Sequence, residues 1–277
     1  MREKIREYWD ERARSYSGSV GATTDDVYLR ELEIFTIVTT LRELDLPKPA
    51  RVLDVGCGDG YSTLKVADTF RDMQFLGIDF SEGMIKIARQ RLEARPDLMN
   101  HVAFIVGDVT DVGQVCGDSV YDVALTDRCL INLNSSEVQS EAIARIAEHT
   151  RPGGFYIAIE NFVEGHEKMN ETRGLVGLPP IPVRWHNLYF KEDEFVRAAG
   201  CFFEDIVFKN FSSSYYFATR VIYSAMCQMR GEVPDYHHEI HQLAVRLPWF
   251  GEFSPIRMAV MRRRKSSPMS RAVAVSR

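Results

Sequence analysis

Four aspartates in the first half of the chain each follow a short apolar run: Asp54, Asp79, Asp108 and Asp127. Asp54 precedes the turn Gly56-Cys57-Gly58-Asp59-Gly60, whose glycines permit positive φ and let a ligand approach the main chain closely. A carboxylate at this point can orient backbone amides or meet a cationic ligand. An acid that ends the second strand of a doubly wound sheet, here Asp79, reaches the ribose hydroxyls of a bound nucleoside. The pattern therefore predicts a ligand that contains a nucleoside.

A second group of reactive side chains lies in the polar stretch from Asn161 to Tyr189. Its run Pro179-Pro180-Ile181-Pro182 is expected to prevent regular structure, and a long loop of this kind usually forms an active-site wall or lid. His186 is the best general base by residue type, with Glu160 next, although a histidine here could equally be structural. The arginines of this region could instead bind an acidic group of a substrate bidentately: Arg128, Arg173 and Arg184.

The elements that must position these side chains are strands alternating with helices. Apolar runs predict strands at Phe75–Asp79, Val102–Asp108 and Tyr121–Asp127 beside the one that ends in the glycine turn. A fifth strand, Phe155–Glu160, follows Arg151-Pro152-Gly153-Gly154. This alternation predicts an α/β fold with a mostly parallel sheet, right-handed crossovers and a ligand at the carboxyl ends of the strands.

Helical periodicity continues on both sides of this core. Two N-terminal helices are predicted, Arg2–Tyr16 and Asp25–Leu44, and two late ones, Tyr215–Met229 and Tyr236–Leu247. Trp9 and Tyr16 of the first helix either pack in the core or close over a ligand at the glycine turn, and both interpretations stay open. The late pair is expected to form a cap over a substrate pocket.

Composition predicts an ordinary globular chain. The 277 residues are 45% hydrophobic and carry a net charge of −5, which does not favour nucleic acid as a partner. No apolar run is long enough to cross a bilayer, and Met1-Arg2-Glu3-Lys4 opens no secretory signal, so no membrane contact is expected. The five scattered cysteines predict reduced thiols and a cytoplasmic protein. Residues 266–277 form a polar, basic tail that is expected to be disordered.

Five motifs in this order resemble the class I S-adenosylmethionine-dependent methyltransferases: Val52–Gly60, Gly77–Asp79, Gly107-Asp108, Tyr121–Val123 and Arg151–Gly154. The resemblance covers residues 50–160 in detail. It implies a Rossmann-like, doubly wound, seven-stranded sheet, mostly parallel with an antiparallel last strand, plus N-terminal helices and a helical and loop cap. Residues 1–265 would then form one domain, with N-terminal helices in 1–46, a cofactor-binding core in 50–160 and substrate cap insertions in 161–190 and 211–254.

The resemblance also implies roles for individual residues around the cofactor S-adenosylmethionine. Asp54 and the turn residues Gly56, Cys57 and Gly58 would face the methionine moiety, and Asp79 would accept the ribose hydroxyls. The remaining cofactor-binding residues would be Phe80 and Val109 beside the adenine, Asp108 at its amino group, Thr126 and Asp127 at the sulfonium, and Tyr16 above the ligand.

The implied activity is methyl transfer to a small-molecule or glycan acceptor, at a hydroxyl or phosphate oxygen. N-methylation of a small molecule and a non-catalytic cofactor-binding protein are the alternatives. A narrower resemblance, to enzymes of bacterial glycans or natural products, depends on Asp127–Asn132 and Trp185-His186-Asn187. For methyl transfer the catalytic candidates are His186 and Glu160, and the substrate-binding candidates are Arg128, Asn161, Arg173, Asn187 and Tyr189.

A metal-assisted mechanism resembling catechol-type O-methyltransferases would use the oxygens of Asp127, Glu160 and Asn161. We expect metal-free catalysis instead, because Arg128 directly follows one of these ligands and would repel a cation. A homodimer remains open at this stage.

Overall fold

The computed structural model describes residues 1–16 and 22–265, and within these ranges seven strands form one sheet in the order β3-β2-β1-β4-β5-β7-β6. Strands β1 to β5 are parallel, and β7 runs antiparallel to both β5 and β6. The predicted fold class is therefore confirmed. The strands are β1 Arg51–Val55, β2 Gln74–Asp79, β3 Val102–Val106, β4 Tyr121–Asp127, β5 Thr150–Asn161, β6 Phe203–Lys209 and β7 Ile256–Arg263.

Helices cover both faces of this sheet. They are α1 Arg2–Ser15, α2 Val27–Glu43, α3 Tyr61–Thr69, α4 Glu82–Glu93, α5 Val112–Cys116, α6 Ser136–Glu148, α7 Val163–Leu175, α8 Glu192–Gly200, α9 Ser213–Tyr216, α10 Ser224–Arg230 and α11 Glu239–Ala244. A π-helical segment, Phe217–Tyr223, joins α9 to α10. None of the helices in the described part of the chain is long and apolar enough to cross a membrane.

The two faces of the sheet bury separate apolar cores. On one face α2, α3 and α4 pack against side chains such as Val52 and Ile157, and on the other α5, α6 and α8 pack against Leu53 and Ala158. The central strands read as continuous apolar runs because both of their faces are buried. Helix α1 lies outside these layers and packs on α4.

The glycine turn after β1 depends on backbone conformations that favour glycine. Gly56, Gly58 and Gly60 all have positive φ, and Gly60 is the residue that precedes α3. A Cβ on Gly56 would lie 2.4 Å from the Sγ of Cys129, which follows β4. The turn thus brings the end of β1 against the end of β4.

The stretch from Asn161 to Tyr189 differs from the sequence prediction. Its first half is the helix α7, and residues 176–189, which include Pro179–Pro182, form no helix or strand. The helix forms because the prolines, which would break it, begin only after its last turn. At the other end of the cap, the helix predicted at Tyr236–Leu247 is shortened to α11. The tail 266–277 lies outside the described residues.

Candidate active site

A cavity of about 510 Å³ opens at the carboxyl ends of the parallel strands, where an α/β sheet binds its ligands. Its floor includes the glycine turn after β1, and its far wall belongs to the polar stretch that follows β5. The volume is in the range of small-ligand sites. Most residues singled out from the sequence line this cavity: Asp54, Gly56, Cys57, Gly58, Asp79, Phe80, Asp108, Val109, Asp127, Arg128, Asn161, Arg173, His186, Asn187 and Tyr189.

Asp79 ends β2 and joins two neighbouring segments of the cavity floor. Its Oδ2 accepts the backbone N–H of Gly58 at 3.0 Å, and its Oδ1 accepts that of Ser81 at 2.9 Å. Burial raises the pKa of Asp79 to about 6, and these two hydrogen bonds oppose that rise. Because each carboxylate oxygen has a second lone pair, Asp79 can still accept from two hydroxyls of a ligand.

Asp108 follows β3, and each of its two carboxylate oxygens has a partner within the protein. Its Oδ1 accepts from the backbone N–H and the hydroxyl of Thr110, each at 2.9 Å. Its Oδ2 forms an ion pair with Arg2 of α1. The first helix is thereby tied to the carboxylate that the sequence analysis assigned to a ligand.

Helix α1 makes two further contacts above the cavity. The indole N–H of Trp9 donates to Oδ1 of Asn132 at 3.2 Å. The ring of Tyr8 stacks on His186, with ring centroids 4.6 Å apart. Both alternatives left open for Trp9 have support, since it packs on the apolar cluster of α1 and α4 and also lies on the cavity wall, where it connects α1 to the segment after β4.

Asp54 lies deeper, at the end of β1, and accepts the hydroxyl of Thr63 at 2.5 Å. Burial raises its pKa to about 7, with the Thr63 hydrogen bond opposing the rise. Asp54 is only 3% exposed yet lines the cavity, so its second oxygen is available to a cationic group of a ligand.

Arg128 follows β4 in a left-handed conformation, with φ of +54°, which is uncommon for a residue with a side chain. Its guanidinium pairs with the fully buried Glu33 of α2, with Nε–Oε1 and Nη2–Oε2 distances of 3.0 and 3.1 Å. Burial raises the pKa of Glu33, and Arg128 opposes that rise. This two-point pair fixes the chain where it leaves β4 for the cavity wall.

Three residues predicted at the site do not line the cavity. Thr126 is fully buried and its hydroxyl is 2.9 Å from that of Tyr156, because alternation along β4 turns it to the face opposite Asp127. Tyr16 lies beyond the end of α1, beneath the Arg12 guanidinium and partly exposed. Neither side chain is among those that line the cavity.

Glu160 is the third of these. It is fully buried, and its two oxygens accept the backbone N–H groups of Leu130 and Ile131 at 3.0 and 3.3 Å. Burial raises its pKa to about 7. Glu160 therefore holds the segment after β4 and faces away from the cavity, which indicates a structural role.

Replacing Glu160 by alanine is therefore expected to lower the free energy of unfolding by about 2–4 kcal/mol, since two buried N–H groups lose their acceptors. Chemical denaturation measures this loss. Glu171→Ala, on the exposed side of α7, serves as the control and should change stability by less than about 0.5 kcal/mol. Unchanged stability in Glu160→Ala would contradict the structural role.

The wall opposite the glycine turn carries polar atoms that lack partners. Asn161 Oδ1, His166 Nδ1 and His186 Nδ1 are buried and have no hydrogen-bond partner within residues 1–16 and 22–265. All three side chains are at least nine-tenths buried and line the cavity. Buried polar atoms are rarely left unsatisfied in folded proteins, so such a group indicates a polar ligand or water.

His186 lies between aromatic rings, with Tyr8 stacked on it and the rings of Trp9 and Trp185 edge-on. Burial lowers its pKa to about 4, and the nearby Arg184 and Arg12 lower it further. The imidazole is consequently neutral at pH 7 and has a nitrogen free to accept a proton.

His166 and Arg220 line the cavity but were not among the site residues selected from the sequence. His166 lies on α7, where its Nε2 is 3.1 Å from Nδ2 of Asn170. Arg220 lies on the π-helical segment and pairs with Asp26, the residue that caps the N-terminus of α2. The sequence could have indicated Arg220, since it is the only charged residue in the apolar run Tyr215–Tyr223. Nothing in the sequence sets His166 apart from the other polar residues of α7.

No group of three or more His, Cys, Asp or Glu side chains in the described part of the chain is arranged to hold a metal ion. In particular, the three oxygen-bearing residues considered from the sequence do not converge. Asp127 and Asn161 line the cavity, whereas Glu160 lies on the opposite face of the sheet.

Residues 52–154 match the family model described as a methyltransferase domain. With the strand order and the acidic cavity floor described above, this match identifies a class I S-adenosylmethionine-dependent methyltransferase domain, as predicted. The cofactor of this class is S-adenosylmethionine. The site suits it, because the carboxylates that follow β1, β2 and β3 line the cavity that a cationic nucleoside would enter, and the first two are buried.

Two curated relatives have different acceptors. Ajmaline N-methyltransferase of Rauvolfia serpentina is 38% identical over 36% of this chain and 33% of its own length. Malonyl-[acyl-carrier protein] O-methyltransferase of Bacillus cytotoxicus is 30% identical over 39% of this chain and 34% of its own length. The chain thus spans about a third of the length of these relatives.

Among solved structures, magnesium protoporphyrin IX methyltransferase from Synechocystis PCC 6803, with bound SAH, covers 95% of this chain and all of its own. Its TM-score is 0.60 at 17% identity. This likeness establishes the fold and leaves the acceptor undetermined.

Proposed function

We propose that this protein transfers the methyl group of S-adenosylmethionine to a hydroxyl oxygen of a polar small molecule bound under the cap. The observation that supports this most is one continuous cavity with two different walls. The floor presents the carboxylates of Asp54, Asp79 and Asp108, and the cap presents buried polar atoms without partners. The first set suits the cofactor and the second suits an acceptor.

Bound S-adenosylmethionine would supply a methyl group on a good leaving group, so the protein needs to align the acceptor, exclude water and accept a proton. Asp79 and Asp108 would orient the nucleoside, and Asp54 would meet the cationic methionine end. Helix α1 excludes water by closing the cavity with Trp9. His186, neutral and with a free Nδ1, would take the proton of the acceptor hydroxyl.

The alternatives remain distinct from this proposal. A neutral amine acceptor needs no base before attack, so an N-methyltransferase would tolerate loss of the His186 imidazole. A non-catalytic protein would bind the cofactor without any methylated product. A phosphate oxygen, a glycan or natural-product acceptor and a homodimer are further proposals carried over from the sequence.

Calorimetric titration with S-adenosylmethionine and S-adenosylhomocysteine tests the cofactor site first. We expect dissociation constants in the micromolar range or below for both. Mass spectrometry of reactions with a panel of hydroxyl and amine compounds then tests transfer. Absence of binding would reject the cofactor role of this cavity, and binding without product across the panel would favour the non-catalytic alternative.

Cofactor binding is expected to strengthen as pH rises through about 7. The pKa of Asp54 is about 7 in the folded protein, so below that pH the carboxyl is largely neutral and meets a cation poorly. S-adenosylmethionine should therefore displace a proton on binding, which calorimetry in buffers of different ionisation enthalpy detects. Asp54→Asn should abolish this proton release. A pH-independent affinity between pH 5.5 and 8 would contradict the assignment of Asp54.

A further inference from the structure

The charges on the cavity wall divide between its two ends. Acidic residues dominate the cofactor end, whereas the cap end carries four arginines: Arg128, Arg173, Arg184 and Arg220. Two of these are already neutralised, because Arg128 pairs with Glu33 and Arg220 pairs with Asp26. The other two have no carboxylate within 4.0 Å in the described part of the chain.

Arg173, on the last turn of α7, is the unusual member of this set. Its side chain is 7% exposed. Its Nε donates to the carbonyl oxygen of Pro179 at 2.9 Å, and its Nη1 donates to that of Arg220. Both acceptors are neutral, so its charge is not compensated. No hydrogen bond of Nη2 is found within residues 1–16 and 22–265.

The residues outside these ranges contribute no acidic side chain that could pair with Arg173. Residues 17–21 and 266–277, which the structure does not describe, contain no Asp or Glu. Burial lowers the pKa of Arg173, and the positive charge of Arg220 lowers it further. A guanidinium remains protonated in proteins, so an uncompensated buried positive charge lies on the cavity wall and is costly unless an anion binds there.

The surroundings of Arg173 also suit an anion. Arg184 lies at the exposed edge of the same cavity, and His166 lies on α7 with an unpartnered Nδ1. Asn170 shapes this corner, since it bonds both the backbone of Ile181 and the ring of His166. This corner of the cavity is therefore positively charged and contains a buried nitrogen without a hydrogen-bond partner.

We propose that the methyl acceptor carries an anionic oxygen group, a carboxylate, which binds at Arg173 with Arg184 at the cavity edge. This inference deepens the proposed function and depends on it. A planar guanidinium matches a carboxylate in two parallel hydrogen bonds, and one buried positive charge balances one negative charge. A phosphate monoester presents similar oxygens with a second charge, and the experiment separates the two.

The test uses the full-length protein saturated with S-adenosylhomocysteine. Malonate and inorganic phosphate are added separately at constant ionic strength, with chloride as reference. Malonate at tenfold above its dissociation constant is expected to raise the melting temperature of the wild type by roughly 2–4 °C. Arg173→Met should lose this shift, and Arg173→Lys should bind malonate at least about fivefold more weakly.

Arg197→Met, at an exposed surface pair on α8, is the matched control and should keep the full shift. The same shift in Arg173→Met, or no shift in the wild type, would overturn the proposal. A shift with phosphate but not with malonate would overturn the carboxylate assignment. If Arg173→Met does not fold, Arg173→Lys and Arg184→Gln decide the matter, since both must weaken malonate binding.

Calorimetry with S-adenosylhomocysteine on each variant separates this inference from the proposed function. If the wild type does not bind it, the proposed function itself fails. If every variant binds it with wild-type affinity and malonate has no effect, only the anionic acceptor is rejected. With an acceptor in hand, its primary amide should be methylated about 100-fold less efficiently than the free acid in kcat/KM, because the amide leaves the buried charge unpaired.

Discussion

Replacing His186 by alanine is expected to lower kcat about 100-fold with a hydroxyl acceptor, because general-base catalysis typically contributes that much or more. The cofactor affinity should remain unchanged, since His186 lies on the cap wall, away from the glycine turn. The pH profile is the sharper measurement. With a pKa of about 4, His186 stays neutral down to low pH, so kcat at saturating cofactor should remain flat between pH 8 and 5.

Two variants separate proton transfer from packing. His186→Phe keeps a ring that stacks on Tyr8 but removes both nitrogens, so it should be as inactive as His186→Ala. His237→Ala, on an exposed position near α11, should retain full activity. Substantial activity in His186→Phe, or an acid limb of the wild-type profile near pH 6.5, would show that His186 is not the base.

Replacing Asp79 by asparagine is expected to weaken S-adenosylhomocysteine by about 1–3 kcal/mol, which is roughly 5- to 150-fold in the dissociation constant. Two losses contribute to this effect. First, the ligand loses a charged hydrogen-bond acceptor. Second, the two oxygens of Asp79 accept the backbone N–H groups of Gly58 and Ser81, and the NH₂ group of asparagine would place a donor against one of these N–H groups. Calorimetry measures the change directly.

The control for this prediction is Asp72→Asn, because Asp72 is exposed in the turn before β2. It should leave both affinity and stability unchanged. Circular dichroism must show that Asp79→Asn is folded at the temperature of the titration. A folded Asp79→Asn variant with wild-type affinity would remove Asp79 from the cofactor site.

The cofactor half of the site could be predicted because its information is local. Each strand that ends in an acid is a short apolar run, which can be recognised in the sequence. The closely spaced glycines that follow β1 indicate a tight turn with positive φ. The end of such a strand must lie at the edge of a parallel sheet. Asp54, Asp79 and Asp108 therefore meet at one cavity, although they are more than 20 residues apart in sequence.

Two predicted site residues, Thr126 in β4 and Glu160 in β5, do not line the cavity, and one physical cause explains both. Side chains alternate between the faces of a strand, so of two consecutive residues at its end only one can face the cavity. Asp127 and Asn161 do so, while Thr126 and Glu160 point to the opposite face, where Thr126 meets Tyr156. If one cavity-facing residue in each strand is known, this alternation tells which of its neighbours face the cavity and which face the other side of the sheet.

The cap could not be predicted to the same depth, because its geometry depends on contacts between distant segments. The unpaired state of Arg173 becomes visible only once Arg220 and Asp26 are seen as partners. Similarly, Glu33 of α2 meets Arg128 across 95 positions of sequence. No local pattern indicates which of several arginines finds a carboxylate and which does not.

The π-helical segment Phe217–Tyr223 has an evolutionary consequence. A π turn holds more residues than an α turn, so the segment is equivalent to a helix that carries an extra amino acid. Deleting one codon there would restore α-helical hydrogen bonding, and the helices on either side would keep their faces. Tyr216 and Ser224, which flank the segment on the cavity wall, would stay in place, whereas Arg220 within it would change position. A single in-frame deletion could therefore move a charged side chain of the cavity wall with no substitution at all.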